Sequence, residues 1–435
     1  MALIDLQIAA RSLAQHRKRS LFLGGAIAIV TVFLVLLVSL TEGIQETILK
    51  TGTTLMTGHV NVGGFYKITA TTPAPLVVDA DKVLQAVLPE VPELEYAVGR
   101  GRGYAKAVSE TASMDLVLGG LLLDQDRRFT EAVMLAEGNL ADLAKPNTIM
   151  LFQTEVKRLG VKVGDTLTLS APTYRGMANT ADVRVAAIAK DMGVMSYFNA
   201  FMPYQTLERL YQLKPGATGA FHLYLKDYRD SEVVAQRLRD VLAKKGWRVM
   251  DAAPQPYWIK LMLKVGKEDW TGQKLDITTW ADEMSQMNWI ITVLQALTGF
   301  LLFLLGLIIF AGVMSTMWIA IRERTREIGT LRAIGMHRRR VLLMFLTESL
   351  LLGLLGAAAG GVIGSALVLI VNAVHVALPQ GVQWLLMADK LHLSLNVAKV
   401  AVIGGLLTLL TCFSALFPSI RAARLKPVTA MHHLG

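Results

Sequence analysis

A strongly charged segment lies between two long apolar runs in the last third of this 435-residue chain. It extends from Arg322 to Arg340 and holds seven arginines against two glutamates. Ile328, Leu331, Ala333 and Ile334 give the same segment an apolar stripe. Charge is costly inside a bilayer, so such a segment indicates contact with something outside the membrane. We interpret it as a candidate binding surface for a soluble partner.

The rest of the chain offers few residues suited to catalysis. His59 and His222 are isolated, without an HExxH pattern or a cluster of His, Asp and Glu at metal-ligand spacing. A Gly-x-Ser-x-Gly elbow is absent, and Gly101-Arg102-Gly103 is expected to be a turn because it lacks a phosphate-binding context. We therefore predict no catalytic, cofactor-binding or metal-binding residues, and a solvated or core role for each histidine.

Hydropathy predicts a membrane protein, since 53% of the residues are hydrophobic and the mean hydropathy is +0.44. A helix needs about 20 apolar residues to cross a bilayer. Four spans meet this length, and they are predicted at 21–40, 289–321, 341–374 and 400–420. A cleaved signal peptide is the alternative for the first, but its apolar core is too long and lacks a small-residue cleavage site.

Charge predicts the orientation of these spans. Segments 1–20, 321–340 and 421–435 hold 14 of the 44 Lys and Arg residues but only three of the 34 Asp and Glu residues. The positive-inside rule therefore assigns them to the cytoplasm, as an amphipathic helix (1–20), a charged connection (322–340) and a tail (421–435). The net charge of +10 then reflects topology and contact with membrane lipid, and it does not indicate nucleic-acid binding.

Residues 41–288 lie between the first two spans and are numerous enough for a core of their own, in two lobes. Phe221, Leu223 and Leu225 alternate as in a strand, and Asp230 to Gly246 has helical spacing. Further elements are expected as a helix at Thr154–Leu159 and strands at Asp165–Leu169 and Val183–Ala187. Thr41–Thr54 and Leu275–Asn288 are predicted helical extensions of the spans, forming a stalk. A short outer loop is expected at 375–399.

The predicted fold class is thus an α-helical membrane protein with four transmembrane helices and an α+β extracytoplasmic domain inserted between helices 1 and 2. Gly356, Gly360 and Gly364 recur every four residues in the third span. Small residues at this spacing form a helix-packing face, either within the bundle or at a dimer interface. Glu348 lies in the same span, and we expect it to pair with the nearby cytoplasmic arginines.

Several motifs resemble the MacB, LolC/LolE and FtsX superfamily of ABC-transporter permeases, and the organisation is nearest to that of the LolC/LolE type. Residues 326–335, REIGTLRAIG, are similar to the segment that joins spans two and three in that family. The ending from Pro418 to Met431 resembles its tail. Ala10–Leu13 with Arg17–Ser20 is similar to the amphipathic helix before its first span, and Arg158–Leu167 resembles a part of its outer domain.

The resemblance implies that the charged connection is a coupling helix seated on a separate ATP-hydrolysing subunit, present in two copies. That subunit would bind ATP and Mg²⁺, because this sequence lacks the G-x-x-x-x-G-K-[ST] loop and would need no cofactor itself. The ATPase-coupling residues carried over are Arg322, Glu323, Arg324, Arg326, Glu327, Ile328, Gly329, Leu331, Arg332, Ala333, Ile334 and Gly335.

The implied function is mechanotransmission, in which ATPase motion passes through spans one and two to the outer domain. Lipoprotein release from the bacterial inner membrane, with a periplasmic carrier, is favoured by the stretch Thr57 to Val62. MacB-like export of drugs or peptides with an adaptor and outer-membrane channel is the alternative. An FtsX-like regulator and a non-transport membrane sensor or enzyme are further alternatives. The partner in the membrane is a second copy or a homologous permease.

Overall fold

The computed structural model describes residues 11, 13–15, 17–69, 73–192, 196–379, 381–383 and 390–424, with the backbone alone at 286–288. The predicted helix at 1–20 is therefore described only in part. Residues 384–389 of the predicted outer loop and the tail beyond 424 lie outside the described residues. The chain divides into two units, a helical unit (Met1–Glu46, Ile291–Ala377 and Lys390–Gly435) and an outer unit (Thr47–Ile290 and Leu378–Asp389).

The α-helices are α1 (Arg17–Leu55), α2 (Ala80–Val87), α3 (Arg127–Ala132), α4 (Gln153–Leu159), α5 (Tyr204–Tyr211), α6 (Ser231–Lys244), α7 (Tyr257–Leu263), α8 (Trp280–Glu283), α9 (Ser285–Glu323), α10 (Thr325–Ala333), α11 (Arg338–Val374) and α12 (Val397–Ala423). The strands are β1 (Val60–Lys67), β2 (Pro73–Ala74), β3 (Leu94–Val108), β4 (Ser113–Leu121), β5 (Leu135–Gly138), β6 (Thr148–Phe152), β7 (Thr166–Pro172), β8 (Ala178–Ala189), β9 (Asn199–Pro203), β10 (Ala220–Leu225) and β11 (Gly272–Thr279).

Four helices in the described part of the chain, α1, α9, α11 and α12, are long and apolar enough to span a membrane. Each contains one predicted span and extends beyond its predicted ends, except that α11 ends at Val374 as predicted; α1, for example, has 39 residues. Side chains from all four form one core, including Ile27, Val313, Phe345 and Leu407. Apolar side chains also remain exposed on the outer faces of these helices, as lipid contact requires.

The outer unit is built on a mixed sheet, which confirms the predicted α+β domain between the first and second spans. Its strand order is β11-β1-β10-β3-β4-β9-β6-β8-β5, with β2 beside β1, and β7 beside β3 and β8. Neighbouring strands pair antiparallel except β4 with β9 and β6 with β8. One core packs α2 and α6 against β1, β10 and β11, and another packs α5 against β4 and β6 to β8.

The two predicted helical extensions are helical at Thr41–Thr54, at Trp280–Glu283 and from Ser285 onward, but not at Leu275–Thr279. Thr41–Thr54 is helical, because α1 continues without interruption to Leu55. Leu275–Thr279 is wrong as a helix: these residues belong to β11, which pairs antiparallel with β1 from Val60↔Thr279 to Lys67↔Gly272. Residues 275–279 are buried on both faces of the strand, so the alternation that marks a half-buried strand is absent.

The predicted turn at Gly101-Arg102-Gly103 is also wrong, since these residues lie inside β3. A Cβ at Gly101 would lie 3.1 Å from Leu207, and one at Gly103 would lie 2.7 Å from Tyr211. Both of these neighbours belong to α5. Glycine therefore lets a helix pack directly on the strand, and Arg100 and Arg102 alternate with the glycines.

Candidate functional site

The charged connection is divided into three parts, and it is not one helix. The helix α9 ends at Glu323, Arg324 interrupts the helical geometry, and α10 occupies Thr325–Ala333. The arginines of residues 338–340 form the first turn of α11. The predicted single coupling helix at 322–340 is therefore corrected to a nine-residue helix between two spans.

Gly335 ends this short helix. Its φ is +106°, a left-handed conformation that glycine adopts without the steric cost of a Cβ. The Gly335 N–H donates to Arg332 O at 3.1 Å, and the Met336 N–H donates to Leu331 O at 3.0 Å. This pair of bonds is a Schellman motif, which satisfies the last carbonyl groups of the helix and reverses the chain toward α11.

The predicted coupling residues separate into an exposed and a buried group. Within this chain, seven of the twelve predicted coupling residues are exposed: Arg322, Glu323, Arg326, Glu327, Ala333, Ile334 and Gly335. In contrast, Arg324, Ile328 and Gly329 are buried in the helical unit, and Leu331 and Arg332 are half-buried. The predicted apolar stripe is therefore not one face, because Ile328 is 1% exposed and Ile334 is 80% exposed.

Glu348 joins three helices at the base of the helical unit. It lies in α11 and is 3% exposed. One carboxylate oxygen accepts from Arg19 Nη2 of α1 at 3.0 Å, and the other accepts from Arg324 Nη1 at 3.2 Å. Arg19 Nη1 also lies 3.6 Å from Glu323. We call Arg19, Arg324 and Glu348 the basal ion triad, and it confirms that Glu348 pairs with the flanking arginines.

The triad connects the exposed surface of α10 to two spanning helices. A buried carboxylate is tolerated when opposite charges and hydrogen bonds replace its hydration. Arg324 immediately precedes α10, so a displacement of that helix changes the geometry around Glu348 and Arg19. A further link is the hydrogen bond from Arg332 Nη1 to Ala423 O at the end of α12, at 3.2 Å. The first, third and fourth spanning helices therefore all contact this segment.

The glycines at four-residue steps in α11 face α1. A Cβ at Gly356 would lie 2.9 Å from Gly24 O, one at Gly360 would lie 2.4 Å from Ala28 O, and one at Gly364 would lie 3.0 Å from Val35 Cβ. Of the two arrangements considered above, the structure has the contact within the bundle. Helix α11 thus combines a close packing face with the carboxylate of the basal ion triad.

The two histidines of the outer unit are both buried. His59 Nδ1 accepts from the Leu225 N–H at 2.9 Å, and burial lowers the pKa of His59 to about 4. His222 is 2% exposed, and burial beside Arg100 and Arg102 lowers its pKa well below the usual range. Within the described ranges, no group of three His, Cys, Asp or Glu residues is arranged to hold a metal ion.

Two features of the site were missed in the sequence. Arg19 was counted only as part of the positive flank, although it lies just before the first predicted span and Glu348 lies near the start of the third, both close to span ends predicted to be cytoplasmic. Arg102 was assigned to a turn at Gly101–Gly103 and Arg100 was not considered, whereas the alternation Gly99-Arg100-Gly101-Arg102-Gly103 is a period-two signal typical of a strand. The contacts of all three arginines depend on tertiary packing.

Two family models match the chain. The FtsX-like permease C-terminal model matches residues 299–427, and the MacB-like periplasmic core domain model matches residues 24–241. The first covers α10 and most of the spanning helices that contact it. The second covers most of α1 and most of the outer sheet. Together they include Arg324 and Glu348 of the basal ion triad and every strand of the outer unit given above except β11, whereas Arg19 precedes both matched ranges.

Curated relatives agree with these models. A pyoverdine export ATP-binding/permease protein from Pseudomonas fluorescens is 37% identical over 28% of this chain and 16% of its own length. A macrolide export ATP-binding/permease protein from Bdellovibrio bacteriovorus is 25% identical over 56% of this chain and 34% of its own length. The matched parts are thus about a third or less of each of these relatives.

Among solved structures, the periplasmic region of MacB from Actinobacillus actinomycetemcomitans aligns with 56% of this chain and 96% of that chain, at 14% identity and a TM-score of 0.30. That score adds nothing to the assignment, which depends on the two sequence models. On those models, the chain belongs to the MacB-like and FtsX-like family of ABC-transporter permeases.

Proposed function

We propose that this chain is the permease of an ATP-driven transporter and that it transmits ATPase motion to the outer unit. The observation that carries the proposal is the position of Arg324, between the exposed helix α10 and the buried carboxylate of Glu348. A partner that pulls on α10 acts through Arg324 on α11 and, through Glu348 and Arg19, on α1. The helix α1 is continuous to Leu55, so its displacement reaches the outer unit.

The proposed partners follow from this mechanism. An ABC-type ATPase subunit, present in two copies, binds ATP and Mg²⁺ and contacts the exposed part of α10. A second copy of this permease, or a homologous permease, completes the membrane portion. The proposed location is the bacterial inner membrane with both termini in the cytoplasm, which the clustering of Lys and Arg near residues 17–19 and 338–340 supports.

We propose that the transporter releases lipoproteins from the inner membrane, because the stretch from Thr57 to Val62 resembles the lipoprotein-releasing type of permease. Those residues lead into β1, and Asn61 Oδ1 accepts from the Gly58 N–H at 2.8 Å. These contacts are internal to the outer unit, so the stretch supports the proposal through its resemblance alone. The second candidate is export of drugs or peptides, because two relatives are named for pyoverdine and macrolide export.

Reconstitution with the ATPase tests both parts of the proposal, the transmission of ATPase motion and the release of lipoprotein. Proteoliposomes that contain the permease, the ATPase and a triacylated lipoprotein should release the lipoprotein to a soluble carrier only when ATP is hydrolysed. A wild-type permease that stimulates the ATPase but releases no lipoprotein would move the cargo assignment to export. A permease that neither binds nor stimulates the ATPase would contradict mechanotransmission itself.

A further inference from the structure

The outer unit contains two adjacent chambers beneath the short helix α7. The larger, which we call the aromatic chamber, has a volume of about 370 Å³, and its lining includes Tyr104, Tyr174, Tyr211 and Met262. The smaller, the polar chamber, has a volume of about 50 Å³, and its lining includes Arg102 and His222. Val117, Tyr257 and Trp258 line both, so these side chains form the partition between the chambers.

The aromatic chamber suits a hydrocarbon chain. The Tyr211 hydroxyl donates to Tyr104 O at 2.6 Å, and the Tyr174 hydroxyl accepts from Arg175 Nε at 2.9 Å. These hydroxyl groups are therefore engaged within the protein, and the rings present apolar surface to the chamber. Met262 is 55% exposed, so the chamber opens to the outside beside it. A volume of several hundred Å³ with a mostly apolar lining is typical of a small-molecule site.

The polar chamber presents an unused hydrogen-bonding group. In the part of the chain that the structure describes, neither ring nitrogen of His222 has a hydrogen-bond partner, although the residue is 2% exposed. Buried polar atoms normally have partners, because an unsatisfied one costs about 1–3 kcal/mol. A neutral imidazole offers one donor and one acceptor. The complementary group is therefore one that both accepts and donates, such as a hydroxyl or an amide.

The charges around His222 favour an uncharged ligand. Arg100 Nε is 2.6 Å from Asp126 Oδ2, and Arg102 Nη2 is 3.2 Å from Glu283 Oε1. Each arginine of the polar chamber is thus neutralised by a carboxylate, and an anionic group would find no free cation among these residues. An ammonium group would likewise find no free carboxylate among these residues, because Asp126 and Glu283 are already paired with the two arginines.

We propose that the two chambers form one binding site for an uncharged amphiphile, whose hydrocarbon chain lies against the tyrosine rings and whose hydroxyl or amide group reaches His222. The site lies entirely within the outer unit. It goes beyond the proposed function, because it assigns a ligand to this unit independently of the ATPase and of the cargo. Binding to it is measurable without the ATPase, so the two proposals fail separately.

Photolabelling of the full-length protein in lipid nanodiscs tests the site. The probes are diazirine derivatives of dodecanol and of dodecane, and labelling of the peptide that contains Tyr257–Leu263 is compared with labelling of the spanning helices as an internal reference. The dodecanol probe should label this peptide saturably, and unlabelled dodecanol should compete. Val117→Trp fills the partition and should weaken labelling by both probes about tenfold, equivalent to about 1.4 kcal/mol. Val233→Trp, at a position 62% exposed on α6, should change neither.

His222→Phe tests the polar end, because it keeps a ring of similar shape and removes both nitrogens. It should weaken apparent binding of the dodecanol probe roughly 3- to 10-fold, as for the loss of one hydrogen bond, and leave the dodecane probe unchanged. His222→Leu serves the same purpose if the phenylalanine lowers the melting temperature. Labelling that Val117→Trp does not reduce would overturn the site. Equal losses for both probes at His222 would overturn the polar contact.

Discussion

Arg19 and Glu348 are 329 positions apart in the chain, yet their side chains meet at 3.0 Å at the base of two spanning helices. The arginine guanidinium and the carboxylate are both largely buried. Arg324 contacts the other oxygen of the same carboxylate. One acidic residue therefore holds the start of α1, the start of the short helix α10 and the third spanning helix together.

Glu348→Gln should destabilise the helical unit. The substitution removes the buried carboxylate charge that Arg324 and Arg19 share, while Arg19 keeps Glu323 at 3.6 Å. Breaking a buried pair in this way costs about 3–5 kcal/mol. The melting temperature of the purified protein should fall, and stimulated ATP hydrolysis should no longer move cargo. The matched control is Glu323→Gln, because that side chain is 58% exposed and lies 3.6 Å from Arg19; its cost should be under about 1 kcal/mol. Equal melting temperatures for the two variants would contradict the triad's role.

Glu327→Arg should weaken binding of the ATPase without unfolding the permease. Glu327 is exposed on α10. An ATPase surface that is complementary to this carboxylate would repel the arginine that replaces it. We expect roughly tenfold weaker copurification or more. Glu131→Arg, at a side chain 70% exposed in the outer unit, is the control and should bind the ATPase normally. Unchanged copurification and ATPase stimulation by Glu327→Arg would remove α10 from the contact.

Gly360→Ala should destabilise the contact between α1 and α11. The added Cβ would lie 2.4 Å from Ala28 O, so the two helices must separate, at about 1–3 kcal/mol for an overpacked core. Gly405→Ala is the matched control, because its Cβ would meet no atom within 4 Å. Thermal unfolding in detergent measures both. A Gly360→Ala protein as stable as Gly405→Ala would mean that this helix pair is not closely packed.

Acid should destabilise the outer unit through His59. Burial lowers the pKa of His59 from an ordinary 6.5 to about 4, so the unfolded chain takes up a proton between these values and the folded protein does not. The stability that depends on neutral His59 is complete above pH 6.5 and is lost as the pH falls toward 4, in total on the order of 3 kcal/mol.

The measurement is the denaturation midpoint of the full chain at pH 7.0 and pH 4.5. His59→Gln keeps an acceptor for the Leu225 N–H and should show a smaller difference between the two pH values than wild type. His337→Gln, at an exposed position, should behave as wild type. A pH difference as large in His59→Gln as in wild type would assign the acid sensitivity to other groups.

The local sequence predicted secondary structure correctly where the hydropathy or the spacing of one segment was enough to determine it. The spans follow from hydropathy, and the helix at Ser231–Lys244 and the strand at Ala220–Leu225 follow from their spacing. The same reasoning was wrong at Leu275–Thr279 and at Gly101–Gly103. There the segments are strands because β1 pairs with the first and α5 packs on the second, and neither neighbour is visible in the local pattern.

By itself, the sequence therefore determined the number of spans, the α+β outer domain and the charged connection, because hydropathy, charge and periodicity act over one segment. Tertiary structure alone decided which residues of that connection are exposed, that Glu348 meets both Arg19 and Arg324, and that His222 lies beside an aromatic chamber. These relationships join residues far apart in the chain, and only the packing of several elements brings their side chains within hydrogen-bonding distance.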